Sequence, residues 1–355
     1  MRRTRAALVL VAAGALVAGC GAEVEGPRWR SGGPSPSASP TPSATAAAPV
    51  ELTLAFAGDV HFTGRTLGLL DEPSSAFGKI SSTLSDADLT VVNLETAVTS
   101  RGTPEPKRFH FRAPETAFDA LRAAGIDAAS VANNHALDYG RVGLLDTLTA
   151  ATEAEYPIFG AGRNTDEAYA PWVTTVKGVR IALLGMSQVG ELAGSWKPTA
   201  SRPGVAMAFD GARASAAVKA ARAQADLVIV FMHWGVEGSS CPSGQMKTFA
   251  QRMARDGADI VVGTHAHTLL TDGWLDSTYV HYGLGNFLWY GNSHSTDSGV
   301  LRLTVRSGAV VGRKFLPATV SGTGQPVLVS GTAKKRIEDK LRVAARCTGL
   351  GTAPS

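Results

Sequence analysis

Cysteine is scarce in this chain of 355 residues, and its charges are nearly balanced. None of the three cysteines stands in the C-x-x-C spacing of a structural zinc site, which excludes a cysteine-rich metal or disulfide scaffold. Residues 1–19 carry Arg2, Arg3 and Arg5 but no acid, so the formal charge without them is three lower, +1 instead of +4. The pI near 9.0 therefore gives no support for a nucleic-acid partner, and we expect none.

One apolar run stands out near the N-terminus, "AALVLVAAGALVAG" at residues 6–19. It follows the three arginines and is too short to span a bilayer as a permanent helix, which is typical of a secretory signal. The run leads into "VAGC" at residues 17–20, which resembles a bacterial lipobox. We predict a lipoprotein signal over residues 1–19 and a lipid on Cys20, anchoring the protein to the outer face of the cytoplasmic membrane. An ordinary signal peptide with an incidental cysteine is the alternative.

The remaining chain divides into three parts. Residues 20–49 include "SGGPSPSASPTPSATAAAP", which has too little apolar surface to fold and predicts a disordered tether. Residues 50–330 form the predicted folded domain, and residues 331–355 a C-terminal helix and tail. Outside the cytoplasm, Cys241 and Cys347 can form a disulfide, but their sequence separation does not decide whether they meet.

Within the folded domain, short apolar runs alternate with amphipathic stretches. "LTLAFAGD", "ADLTVVNLE", "ADLVIVFMHW" and "ADIVVGTHAH" are runs of this kind, and "PETAFDALRAAG" and "QMKTFAQRMARDG" predict helices between them. This alternation predicts an α/β fold whose strands are buried on both faces. Ligands of such sheets gather at the carboxyl ends of the strands.

Polar residues recur at these strand ends. Five of the eight histidines lie there, beside carboxylates and amides: Asp59, His61, Asn93, Glu95, Asn133, Asn134, His135, Asp138, His233, Glu237, His265 and His267. A single histidine of this kind is usually hydrogen-bonded in a polar turn. Five of them predict a metal site, and imidazole and carboxylate without thiolate suit Mn, Fe or Zn. Because one tetrahedral ion needs fewer ligands, we predict two divalent ions that share a bridging carboxylate.

The order of these motifs is similar to that of the calcineurin-like metallophosphoesterases. More closely, "GDVHF", "NLETAVT", "VANNHALDYG", "HWGVE", "GADIVVGTHAH" and "YGLGNFLW" resemble, in order, the blocks of the CapA family of poly-γ-glutamate capsule synthesis proteins. The resemblance covers roughly residues 51 to 295. It implies a metallophosphatase-like αββα sandwich, in which central β-sheets are flanked by helices.

The resemblance also implies roles for single residues. It places Asp59, His61 and His267 on one metal ion, and Asn134, His233 and His265 on the other, with Glu95 between them. His135 would be the general acid or would stabilise developing charge, oriented by Asp138. Two departures from the phosphoesterase pattern weaken the transfer of that activity: a glutamate replaces the bridging aspartate, and the acid after "NH" is displaced to position 138.

We predict a substrate-binding group around the metal ions, formed by Asn93, Asn133, Arg108, Trp234, Glu237 and Asn286. Arg108 lies in the basic loop "GTPEPKRFHFR", which is either a solvated loop or a clamp for an anionic substrate. "GLGN" at residues 283–286 lacks the spacing and the lysine of a P-loop, so it predicts a tight turn beside the site.

Three functions fit these features. The first is a lipid-anchored, metal-dependent hydrolase or transferase that acts on poly-γ-glutamate or a related anionic envelope polymer, in contact with the capsule synthesis machinery. The second is an exported metallophosphoesterase of general specificity that acts on phosphorylated substrates. The third is a scaffold that retains the fold and supports polymer export without catalysis.

Overall fold

The structure, a computed structural model, describes residues 50–291 and 293–355. The predicted signal at residues 1–19, the lipidation site Cys20 and the tether at residues 20–49 lie outside the described residues. In the described part, no helix has both the length and the apolar character needed to cross a membrane.

Eighteen strands are found in the described part. Numbered β1 to β18 in chain order, they are Glu51–Val60, Leu89–Leu94, Ala97–Val98, Arg112–Ala113, Ala128–Ser130, Ile158–Phe159, Ala161–Gly162, Trp172–Val176, Val179–Ser187, Gly204–Val205, Leu227–His233, Ile260–Thr264, Leu269–Leu275, Thr278–Leu284, Asn286–Leu288, Asp297–Arg306, Ala309–Val320 and Pro326–Leu328. Eight α-helices accompany them there. Numbered α1 to α8, these are Ser81–Ser85, Thr116–Ala123, Gly140–Glu153, Thr165–Tyr169, Ala193–Trp196, Gly211–Arg222, Gly244–Asp256 and Gly331–Ala344.

Most strands belong to two large sheets. The first has eight strands, in the order β18-β17-β16-β1-β2-β5-β6 with β15 beside β1, and β1, β2, β5 and β6 run parallel. The second has six strands in the order β13-β14-β12-β11-β9-β8, and β14, β12, β11 and β9 run parallel. Two further pairs, β10-β7 and β3-β4, are short. The parallel strands end at one edge of each sheet, which is where the sequence concentrates its histidines.

The two sheets pack face to face. Successive residues of each strand are buried on opposite sides, one side against the other sheet and one against helices. On β1, Leu54 and Phe56 join Ile229 and Phe231 of β11 in one apolar cluster between the sheets. The intervening Ala55 instead packs in a cluster with α2 and α3 residues on the outer face. The second sheet packs its own outer face against α6 and α7. The resulting helix–sheet–sheet–helix layering is the architecture that the sequence predicted.

The C-terminal helix α8 lies where the sequence predicted a terminal helix. Ile337 is its fully buried apolar residue, and Arg336 and Lys340 both contact the carboxylate of Asp297 at the start of β16. A disulfide joins Cys241 and Cys347, whose Cα atoms are 5.8 Å apart. The segment after α8 is thereby tied to the loop that follows β11.

Candidate metal centre

The polar residues of the two sheets meet at the carboxyl ends of β1, β2, β11 and β12. Asp59 near the end of β1 pairs in register with Asn93 of β2 and Asn286 of β15. In the other sheet, His233 at the end of β11 pairs with Thr264, the last residue of β12. The gap between the sheets is closed by the backbone amide of His265, which donates to Asp59 Oδ2 at 3.2 Å. Ligands from both sheets therefore converge at one place.

Glu95 lies at the centre of this group. It belongs to two sets of side chains whose potential ligand atoms all lie within 4.8 Å of one another, one with His265 and His267 and the other with Asp59 and His233. The carboxylate is fully buried, and its Oε1 atom finds no hydrogen-bond partner among the described residues. Burial, followed by repulsion from Asp59, raises the pKa of Glu95 well above its usual value. A cation would satisfy this carboxylate and favour its charged form.

Three further ligand atoms touch each other. His233 Nε2 lies 2.8 Å from Asn134 Oδ1 and 3.1 Å from His265 Nδ1, and it is 3.6 Å from Glu95 Oε1. The two imidazoles are buried, and burial lowers the pKa of His265 to about 3 and that of His233 well below its usual value. Buried neutral imidazoles whose ring nitrogens lie this close together can serve as metal ligands. These are the residues that the resemblance assigns to the second ion.

The other predicted ligand set is less compact. His267 Nδ1 lies 3.4 Å from Asp59 Oδ2 and 2.8 Å from Asn286 Oδ1. His61 accepts the Thr63 amide at Nδ1, 3.1 Å away, and its buried Nε2 has no hydrogen-bond partner among the described residues. Of the two sets that contain Glu95, one combines His265 with His267 and the other combines Asp59 with His233. Each set therefore joins residues that the resemblance assigns to different ions. That assignment stays a prediction.

The loop that carries the last two histidines is held in an uncommon backbone conformation. His265 has a φ of 84° and His267 a φ of 51°, both in the left-handed region that non-glycine residues rarely occupy. Between them, the buried Ala266 accepts the Gly238 amide at its carbonyl oxygen, at 2.8 Å. Strained backbone of this kind persists where the surrounding structure demands it, and it clusters at functional sites.

Two glycines allow the strands to approach closely behind the ligands. A Cβ atom on Gly58 would lie 1.8 Å from the carbonyl oxygen of Gly285, and one on Gly263 would lie 2.2 Å from both Trp234 Nε1 and the Tyr282 carbonyl oxygen. Larger residues at these two positions would push β1 and β12 away from their neighbours. The glycines before "D-x-H" and "T-H-A-H" therefore serve packing.

A family comparison agrees with this geometry. The model of the bacterial capsule synthesis protein family PGA_cap matches residues 53–290, well over half of the chain. This chain belongs to the PGA_cap family.

Two relatives and one solved structure are similar to this PGA_cap protein. It is 29% identical to the capsule biosynthesis protein CapA of Bacillus anthracis, covering 82% of this chain and 73% of the relative. It is also 29% identical to the PGA biosynthesis protein CapA of Bacillus subtilis, covering 81% and 76%. A crystal structure described as a novel phosphatase from Mycoplasma pneumoniae is similar with a TM-score of 0.50 and 13% identity, covering 81% of this chain and 98% of that one. The predicted family and metallophosphatase-like fold are confirmed.

Beside the ligands of this PGA_cap protein, His135 and Asp138 form a hydrogen-bonded pair. His135 Nδ1 lies 2.5 Å from Asp138 Oδ2, and His135 Nε2 faces Glu95 Oε1 at 3.7 Å. Burial, followed by repulsion from Lys107, lowers the pKa of His135 well below its usual value. Burial raises the pKa of Asp138 to about 6, although Lys107 opposes this. The arrangement can hold a proton between His135 Nε2 and the ligand group.

The predicted substrate-binding group needs correction at four of its six positions. Asn93, Asn133 and Asn286 are fully or almost fully buried, and their amides bond to neighbouring site residues. Asn286 donates to the carbonyls of Ser293 and Ser295, so its Oδ1 accepts from His267. These three amides therefore orient ligands and do not face a substrate.

Trp234 is the fourth correction. It is fully buried, its indole donates to the Tyr282 carbonyl at 2.9 Å, and it packs in the outer core with Phe249. It follows His233 directly, so the strand points the two side chains to opposite faces. Arg108 and Glu237 are exposed near the site, and their substrate contacts stay predictions.

The structure adds residues that the sequence did not single out. Lys107 is buried against Asp138 and Glu191, with its ammonium 2.9 and 3.1 Å from their carboxylate oxygens. Phe111 stacks on His135 with ring centroids 3.9 Å apart. At the mouth, His294 contacts Glu237 at 3.1 Å and lies parallel to the His267 ring. The composition of the basic loop predicts a charged segment, but it does not distinguish a buried lysine from a solvated one.

Proposed function

We propose that this chain is a metal-dependent hydrolase or transferase that acts on poly-γ-glutamate or a related anionic envelope polymer during capsule synthesis. The observation that carries the proposal is Glu95, a buried carboxylate that belongs to both ligand groups and whose Oε1 atom has no hydrogen-bond partner in the part of the chain that the structure describes. The relatives named for capsule and PGA biosynthesis support the polymer and the process.

Two divalent ions fit the donor set better than one. Glu95 belongs to both compact groups, and the remaining donors are imidazole, carboxylate and amide oxygen. This chemistry suits Mn, Fe or Zn. When bound, the ions supply Lewis-acid activation of water and of the scissile group. Asp59, His61, Glu95, Asn134, His233, His265 and His267 would hold them.

The protein's own contribution to the reaction centres on His135. Asp138 accepts from its Nδ1, which leaves Nε2 directed at the ligand group. In that orientation Nε2 can take a proton and return it to the leaving group. The exposed Arg108 would attract the acidic polymer at the mouth of the site.

Metal content and activity of the purified full chain test the proposal. We expect stoichiometric Mn, Fe or Zn by elemental analysis, and a reduced or lost metal content in the His265→Ala/His267→Ala double variant. Metal-dependent cleavage or transfer on poly-γ-glutamate should be lost in His135→Ala. Unchanged metal content in the double variant would contradict the metal centre. Turnover of aryl phosphate esters without any effect on polymer would instead favour a general phosphoesterase. Glu95 and His265 variants that lose metal but keep the capsule phenotype would favour the scaffold.

We also propose that the protein is exported and anchored through Cys20 to the outer face of the cytoplasmic membrane, beside the capsule synthesis machinery. The lipobox-like "VAGC" at residues 17–20 supports this proposal. Detergent phase partitioning of the native protein and of Cys20→Ala tests it. Partition of the native protein into the detergent phase and of the variant into the aqueous phase is expected. Equal partitioning of the two would refute the anchor.

A further inference from the structure

Residues 105–111, here called the strap, wrap around the turn that carries Asn134, His135 and Asp138. The Glu105 amide donates to the Asp138 carbonyl at 2.9 Å, and the Phe111 amide donates to Asp138 Oδ2 at 2.6 Å. Within the strap, His110 Nε2 contacts the Glu105 carbonyl at 2.6 Å and closes the loop on itself. Both ends of the strap are thereby bonded to the same aspartate.

Lys107 reaches inward from the middle of the strap. Its side chain is 2% exposed, and its ammonium contacts Asp138 Oδ1 at 2.9 Å, Glu191 Oε2 at 3.1 Å and the Asn134 carbonyl oxygen. The contacts with the two carboxylates are ion pairs, and the Asn134 carbonyl oxygen accepts a hydrogen bond from the ammonium. The ammonium also lies 5.2 Å above the ring of Trp196. A buried lysine whose ammonium contacts two carboxylates and a carbonyl oxygen is held in one position.

The lysine determines what Asp138 can do for His135. Lys107 at Oδ1 and the Phe111 amide at Oδ2 both favour the ionised form of Asp138, which can only accept hydrogen bonds. Asp138 Oδ2 therefore favours the tautomer in which His135 Nδ1 carries the proton and donates across their 2.5 Å contact, because the Lys107 ammonium lies farther from the same nitrogen, at 3.5 Å. The Phe111 ring, stacked on His135, blocks rotation of the imidazole. Nε2 is then left free toward Glu95.

The same lysine also contacts the partner of a predicted metal ligand. Glu191 Oε2 lies 3.1 Å from Lys107 and accepts from Asn134 Nδ2 at 3.3 Å. An amide whose nitrogen faces Glu191 turns its oxygen to the other side, where it meets His233 Nε2 at 2.8 Å. Lys107 and Glu191, from two separate loops, thus fix the orientation of adjacent residues in the turn.

We propose that Lys107 is a positioning residue, which acts through Asp138 to hold His135 with Nδ1 protonated and Nε2 facing the ligand group. The role in turnover rests on the proposed function, whereas the orientation of His135 can be measured without any activity. A lysine that merely stabilised the loop would leave the tautomer of His135 unchanged.

The test is a double-mutant cycle on the full chain with Lys107→Met, Asp138→Asn and the combined variant. Nitrogen-15 NMR of labelled histidine reports which ring nitrogen of His135 carries the proton. We expect one tautomer in the native protein and a mixture in Lys107→Met. In the polymer assay, we expect kcat to fall about 10- to 100-fold with little change in KM, as is typical when the partner of a site residue is lost. The second substitution should cost little more than either alone, because both act through one carboxylate.

Lys219→Met is the matched control, since Lys219 is an exposed lysine on α6 that pairs with Asp256 at 3.3 Å. It should leave both the tautomer and kcat unchanged. If Lys107→Met fails to fold, Lys107→Gln removes the charge and keeps a donor, and the same change of tautomer is expected. A native His135 tautomer in the folded variant, or fully additive losses in kcat, would overturn the proposal. A native protein without polymer activity would contradict the proposed function, while the NMR result would still decide the role of Lys107.

Discussion

A carboxylate and a buried imidazole lie close together around Asp272 on β13 and around Glu95 at the strand ends, but the two carboxylates have different partners. Asp272 Oδ2 accepts the Tyr279 hydroxyl at 2.7 Å and also contacts the guanidinium of Arg313. His281 pairs in register with Asp272 on the adjacent strand. Glu95 Oε1 instead has no hydrogen-bond partner within residues 50–291 and 293–355, and it lies among imidazoles whose nitrogens are as close as 3.1 Å.

The difference separates a structural cluster from a binding site. At Asp272, one acid is matched by one arginine, which also covers the Trp274 ring at 4.7 Å. At Glu95, lone pairs converge from both sheets, an arrangement that gains stability only when a cation is present. Burial of titratable groups is common to both regions, so burial alone does not identify a site. His281 Nδ1 also has no hydrogen-bond partner among the described residues, so the convergence of several ligand atoms is what identifies the site at Glu95.

The largest effect should come from Glu95→Gln. Neutralising the shared carboxylate should remove at least one equivalent of metal and lower turnover by more than about 100-fold, since several kcal/mol of charge stabilisation are lost. Without metal, the variant should be at least as stable as the native protein without metal, because burial disfavours the charge of Glu95. Elemental analysis, polymer assays and urea unfolding measure the three effects. Full metal content in this variant would contradict the view that Glu95 belongs to a binding site and Asp272 to a structural cluster.

A smaller effect is expected from His281, which tests the structural region by pH. Burial lowers the pKa of His281 to about 4. Between the usual pKa near 6.5 and this value, the unfolded chain binds a proton that the folded protein excludes, so stability falls as the pH drops. The loss at pH 4 is up to about 3 kcal/mol from this one group.

The variant His281→Phe removes this proton binding from both states. Urea unfolding of the metal-free variant and native protein at pH 7 and pH 4 should show a steeper loss for the native protein, by up to about 3 kcal/mol. Metal binding at pH 7 should be the same in both. Parallel pH dependence of the two proteins would show that His281 does not carry this difference.

The smallest effect should come from Asp272→Asn. Loss of the charge that faces Arg313 should cost about 1 kcal/mol, because both side chains are partly exposed and water screens the pair. Metal content and turnover should stay at native levels, which makes this variant the matched control for Glu95→Gln. A loss of metal here would mean that the structural region also supports the site.

Much of the site could be predicted because its residues follow strands directly. Asp59, Glu95, His233 and His265 each end or follow a buried parallel strand, and the ends of such strands meet. The same reasoning was wrong for Trp234. Its proximity to His233 in sequence suggested a place near the site. Because successive residues of a strand point to opposite faces of the sheet, Trp234 lies in the core instead.

The buried asparagines show a second limit. Asn93 has the spacing that directs it to the site, which the structure bears out, but its amide is used between Asp59 and Asn133. Residue type and strand position could not separate a side chain that binds a ligand from one that orients a neighbour. That distinction depends on which atoms are already bonded, which only the folded structure specifies.

The sequence by itself determined the α/β class and the edge at which the ligands gather, because periodic burial and strand ends are local features of the chain. The order of its motifs, through their resemblance to a known family, indicated the family and the layered sandwich. Tertiary structure alone decided the burial of Lys107, the partnership of Glu191 with Asn134, and the left-handed backbone at His265 and His267. These features depend on loops that are distant in sequence and meet only after the two sheets have packed. A buried ion pair and a strained turn are stable only in those surroundings.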